Sequence, residues 1–182
     1  MKVGRLVVRA VIGGLFIGHG TQKLFGWFGG PGLSGTEQTM DSLGLQPARY
    51  NALAAGAAEA VGGALLVAGL VTPLVAADLI AVMITAMRTV HIKNGPWNSS
   101  GGYEYHLVLI AALLALVDGG PGELSIDRAL GMHDTGPEWA LGALALGAAA
   151  STLTVELGRR QAKAMQDASD DTAVGDQATF TP

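Results

Sequence analysis

The side chains that could do chemistry in this sequence are few, and they stand in apolar surroundings. His19, Gln22 and Lys23 fall within Gly18-His19-Gly20-Thr21-Gln22-Lys23-Leu24-Phe25-Gly26. His19 and Lys23 are four apart, which places both on one face of a helix. The flanking glycines let another backbone or a ligand come close. Glu59 sits in Ala55-Gly56-Ala57-Ala58-Glu59-Ala60-Val61-Gly62-Gly63. Ala55, Glu59 and Gly63 recur at intervals of four, a small-residue stripe of the kind that packs helix on helix. Glu59 therefore faces a neighbour and needs a cation, a donor or a proton. Lys23 or His19 is the natural counterpart. Arg88 and His91 lie three apart, and Tyr103-Glu104-Tyr105-His106 follows a Gly-rich segment. Asp78, one turn after Pro73, suits the positive end of a helix dipole. Together these groups could hydrogen-bond a small ligand and move a proton.

Other chemistries find little support. Cysteine is absent, so thiol catalysis, disulfides and thiolate metal sites are excluded within this sequence. The histidines have no close H-x-x-x-H spacing, and no metal is assigned to them. No P-loop, dinucleotide fingerprint or nucleophile elbow occurs. No basic face suits nucleic acid.

The elements that must position these groups are membrane helices. The 182 residues contain 27 glycines, and charged residues make up only 14%, against about 25% in typical globular domains. A bilayer core about 30 Å thick needs about 20 mostly apolar residues per helix. Five segments approach this length: residues 6–27, 50–71, 74–91, 103–117 and 137–157. The expected fold is all-α, a transmembrane four-helix bundle over residues 1–130. Residues 131–163 add a fifth C-terminal hydrophobic helix with a basic end. Residues 164–182 read as a disordered acidic tail, with four aspartates in 165–182. Lys2, Arg5 and Arg9 before an apolar run imitate a signal peptide, but no A-x-A-like site follows, so this is an uncleaved first helix. Only Thr72 and Pro73 separate the second and third segments, which predicts an antiparallel hairpin. Gly/Pro clusters at 29–32, 94–96 and 119–122 mark the loops. Lys2, Arg5 and Arg9 place the N-terminus inside, Arg159, Arg160 and Lys163 place the other end inside, and five crossings satisfy only one. Counted over all loops, the charge rule prefers the N-terminus outside.

Membrane level then sorts the polar residues. The first segment ends near Lys23, the second begins near Arg49, the third ends near His91 and the fourth begins near Tyr103. His19, Gln22, Lys23, Arg88, His91, Glu104 and His106 thus share one half of the bundle, with Glu59 below them. An ionisable group at mid-bilayer costs roughly 2.5–3.5 kcal/mol on insertion scales and tends to face the interior and serve a function. This clustering points to a cavity open to one side.

The same residues carry a resemblance. His19-Gly20-Thr21-Gln22-Lys23-Leu24-Phe25-Gly26, Glu59-Ala60-Val61-Gly62-Gly63, Gly69-Leu70-Val71-Thr72-Pro73, and His91 with Gly102-Tyr103-Glu104-Tyr105 resemble the DoxX family of small bacterial membrane proteins. The resemblance implies a multi-pass protein of the bacterial plasma (inner) membrane. It also implies a redox setting, because relatives are associated with thiosulfate:quinone oxidoreduction and with sulfur and oxidative-stress chemistry. Two functions follow as expectations. The first is a membrane subunit of a redox system that binds a quinone-like or other small ligand. His19, Gln22, Lys23, Glu59, Arg88, His91, Glu104 and His106 would line the pocket. The second is a non-enzymatic anchor or assembly factor for partner enzymes. No cofactor is assigned, with quinone the candidate; the partners are the lipid bilayer and other protein subunits.

Overall fold

A computed structural model describes residues 3–178, with side-chain surroundings through residue 170. Lys2 and residues 179–182 of the acidic tail lie outside the described residues. The described chain is helical and has no strand. Its helices are α1 (Val3–Phe25), α2 (Gly32–Ser42), α3 (Ala48–Ala68), α4 (Thr72–Ala86), α5 (Glu104–Gly119), α6 (Ile126–Ala129) and α7 (Pro137–Ala178). A π turn (Met87–His91) and a 3-10 turn (Ile92–Asn94) extend α4. Four helical stretches are long and apolar enough to cross a membrane: α1, α3, residues 72–94 and residues 137–170. At 16 residues, α5 is about 24 Å long. It packs through Leu109, Leu113, Leu116 and Val117 into the core.

The extensive α1–α3 interface is made of glycine. A Cβ on Gly13 would lie 2.5 Å from the Gly63 carbonyl, and one on Gly63 would lie 2.6 Å from the Gly13 carbonyl. A Cβ on Gly20 would overlap the backbone nitrogen of Ala60. Backbones this close gain van der Waals contact where lipid supplies no hydrophobic drive. The stripe on α3 runs Ala52, Gly56, Glu59, Gly63 and Leu66, all buried. This corrects the expected Ala55-Glu59-Gly63 row: Ala55 is only half-buried, because steps of three alternate with steps of four along a 3.6-residue turn. Gly20→Ala is expected to push α1 off α3 and cost about 1–3 kcal/mol, as over-packing does. A lowered unfolding temperature in detergent would show it; an unchanged one would refute the close contact.

The expected hairpin is present, with its link at Gly69–Val71. Gly69 takes the left-handed conformation that ends α3 (φ 65°, ψ 51°). Val71 also has a positive φ, 45°, a costly state for a β-branched residue. The Asp127 carboxylate holds it there, accepting from Val71 N (2.6 Å), Thr72 N (2.9 Å) and the Thr72 hydroxyl (2.7 Å). Asp127 thereby caps α4. It reaches this position because residues 120–127 fold back across the end of α1. Arg9, 1% exposed, fastens that segment: its guanidinium donates to the carbonyls of Pro121 (2.5 Å), Leu124 (2.8 Å) and Val67 (2.9 Å). The reading of Arg9 as a flanking charge that sets orientation is thus corrected. It is an internal tie.

Two further segments differ from expectation. Residues 32–42, expected as loop, form α2, which packs on α1 and α3. Its Thr36 hydroxyl donates to the Lys23 carbonyl at 3.1 Å. The fifth hydrophobic segment is the start of α7, which packs extensively on α4. Gly147 lets it approach Ala77 and Ile80, the Thr85 hydroxyl donates to the Ser151 hydroxyl at 2.9 Å, and Gly158 meets Leu45. The helix continues to Ala178, through most of the segment whose acidic composition predicts disorder. Glycine falls away after Gly158 and good helix formers such as Gln161, Ala162, Lys163, Ala164 and Met165 carry the turn onward.

Candidate functional site

Four elements, α1, α3, α4 with its π turn, and α5, bring polar groups together at the end of the bundle where α1 finishes and α5 begins. The central contact is an ion pair: Lys23 Nζ donates to Glu59 Oε2. The glycine interface sets it, since α1 and α3 touch at Gly20 and at Gly56 beside Lys23. Glu59 is 2% exposed, whereas the Lys23 side chain keeps 27% exposure. This is the counter-charge expected for Glu59.

The second contact joins α4 and α5. The rings of His91 and His106 lie 4.3 Å apart, tilted by 42°. His91 comes from the π turn, a feature that often marks functional sites. Its Nδ1 lies 2.7 Å from the Gly101 carbonyl. A carbonyl only accepts, so Nδ1 carries the proton and Nε2 of the neutral ring is left as an acceptor. Gly101 presents that carbonyl from a left-handed conformation, φ 75°, which glycine adopts freely. His106 is 9% exposed, and its Nδ1 is buried without a hydrogen-bond partner. An unsatisfied buried polar atom in a native fold calls for an explanation, among them an absent ligand. His91, His19 and Lys23 all lie near enough to interact with His106, and Glu59 near enough to interact with Tyr105. The two contacts therefore form one neighbourhood.

The remaining candidates divide. His19 is exposed and makes a local bond, its Nδ1 lying 3.1 Å from Gln22 Oε1. Arg88 turns away, donating to the Thr152 hydroxyl of α7 at 3.1 Å. Its face is the one that Thr85 already turns toward α7, three residues earlier. Glu104 is half-buried at the start of α5, where its acid suits the helix dipole; no bond joins its side chain to the cluster. Tyr105, a residue type that suits the membrane interface near a helix end, packs instead against the core, 6.1 Å from His106 edge to face. Its place one residue before a buried histidine was the only signal. Among the described residues, no three His, Cys, Asp or Glu side chains come together to hold a metal ion. The arrangement offers a cationic donor, an imidazole acceptor and a buried unpartnered ring nitrogen.

The architecture and this polar end define a multi-pass helical membrane protein, in contact with lipid around its bundle. The chain belongs to the DoxX family, whose profile matches residues 4–92. It is similar to a protein of Bacillus subtilis (strain 168) named "Putative oxidoreductase CatD", with 32% identity over 115 residues. The match covers 63% of this chain and 79% of that relative. The matched family segment holds α1, α3 and α4, and so includes Lys23, Glu59 and His91; His106 lies beyond it. No solved structure matches the chain significantly.

Proposed function

We propose that this protein is a membrane component of a redox system in the bacterial plasma membrane and that it binds a small quinone-like ligand beside His106. The observation that carries the reading is the buried, unpartnered Nδ1 of His106, with the His91 ring centred 4.3 Å from its own. A quinone suits these groups. Its carbonyl oxygens accept from an ammonium donor such as Lys23, and the hydroxyls of its reduced form donate to an imidazole nitrogen. Glu59 balances the charge of Lys23. Electrons would come from or go to partner subunits, since no cysteine or redox-active side-chain cluster is at hand. The relative's name supports the redox setting and nothing finer.

Titration of the purified protein with short-chain benzoquinone or naphthoquinone, followed by quenching of tryptophan fluorescence, tests the reading. His106→Leu should weaken binding by about tenfold or more, the loss of about 1.4 kcal/mol, with the unfolding temperature retained. Equal affinity in His106→Leu and Lys23→Met would overturn it. A second reading, an anchor for partner enzymes, is favoured by α7. Its 42 residues span about 63 Å, about twice a bilayer core, and so offer a helix for soluble partners. Retrieval of one stable partner that is lost when residues 164–182 are removed would support this reading.

A further inference from the structure

A second site lies away from the histidines. Residues of α3, α4 and α7 enclose an open groove of about 640 Å³. Twelve of its thirteen lining residues are Ala, Val, Leu or Gly, and the other is Asp78. Asp78 is six residues past the start of α4, about 9 Å along the axis, within a stretch long and apolar enough to cross a membrane. The dipole role that its sequence position suggests is filled by Asp127, which binds the backbone nitrogens of Val71 and Thr72. The Asp78 side chain is exposed to the groove. Its Oδ2 lies where a Cβ on Gly62 would come within 3.2 Å, so glycine at 62 makes room for it. Among the described residues, no cation pairs with Asp78 and no hydrogen bond joins it.

We propose that this groove binds lipophilic organic cations, with the positive charge at Asp78 and an apolar body along α3 and α7. A lone carboxylate at this depth is costly, and a cation beside it offsets that cost in a medium that screens little. The volume falls in the range of small-molecule sites, about 300–1,000 Å³. A partner helix fits less well. It would need a face of about 20 residues, whereas the lining covers only residues 57–65 of α3, residues 71–81 at the start of α4, and Leu146 and Ala150 of α7. The positive charge can belong to a soluble cation or to the ammonium of a membrane lipid; the chemistry at Asp78 is the same.

The test uses the full chain in dodecyl maltoside and tetraphenylphosphonium as the probe. Tetraphenylborate, of the same shape and opposite charge, is the control. One saturable phosphonium site is expected, weakened by about tenfold or more in Asp78→Asn, the loss of one charge pair. Ala58→Leu, which fills the groove with an apolar group, should weaken it as well and leave unfolding unchanged. Tetraphenylborate should not compete. Competition by phosphatidylethanolamine and not by phosphatidylglycerol would identify a lipid ammonium as the occupant; competition by neither would identify a soluble cation. Unchanged phosphonium affinity in Asp78→Asn, or equal binding of the borate, would overturn the proposal. If Asp78→Asn does not fold, unchanged affinity in Ala58→Leu overturns it. His106→Leu should leave phosphonium binding intact, so this site and the quinone reading stand or fall separately.

Discussion

Lys23→Met is expected to destabilise the fold by about 3–5 kcal/mol, because it leaves a buried carboxylate without its counter-charge. Glu59→Gln should cost less. The Lys23 side chain is 27% exposed against 3% for Glu59, so an orphaned ammonium can extend toward the interface while an orphaned carboxylate cannot. Replacing both, Lys23→Met with Glu59→Leu, should recover most of the loss, since a buried pair is often matched by apolar groups of similar volume. Denaturation by sodium dodecyl sulfate, read by circular dichroism, would order the variants. Equal stability of Lys23→Met and wild type would mean that the pair does not hold the bundle. The double variant also separates structure from function: folded but unable to bind quinone, it would place the ligand at this pair.

Arg9→Leu is expected to be comparably damaging, for a different reason. Three carbonyls from two chain segments lose their donor at once. A buried acceptor left unsatisfied costs about 1–3 kcal/mol, so three of them give a total on the order of 3–9 kcal/mol. The damage should spread. Residues 120–127 would no longer be fastened, and Asp127 would lose its hold on Val71 and Thr72. Limited proteolysis should cut between residues 118 and 136 in Arg9→Leu and spare the wild type. Arg9→Lys should recover only part of the stability, because one ammonium cannot span the fork that a guanidinium reaches. Wild-type resistance to protease in Arg9→Leu would refute the tie.

The contrast between these two pairs shows what a sequence reveals. Lys23 and Glu59 were legible as a pair because a buried carboxylate demands a nearby cation, even though counting residues sets Glu59 below Lys23. His91 and His106 were placed at one level by the same counting. Arg9 was not legible, since its partners are backbone carbonyls, which every residue carries and no residue type signals. Arg88 pairs with α7 because no residue type marks which face of α4 the fifth hydrophobic segment covers. The helix α2 was missed because its polar sequence has no apolar periodicity strong enough to outweigh the glycines and proline around it. Tyr105 was missed for a related reason: a tyrosine near a helix end suits the membrane interface equally well, and only packing decides.

The π turn at Met87–His91 amounts to a one-residue phase shift late in α4. The same residues wound as ordinary α-helix would carry everything after them round by about 100° and forward by about 1.5 Å. His91 would swing out of stacking range of His106 and lose the Gly101 carbonyl. The distance between His91 and His106 is thus set by how tightly one turn is wound, not by side chains. A change that rewinds this turn would uncouple α4 from α5 without altering either ring.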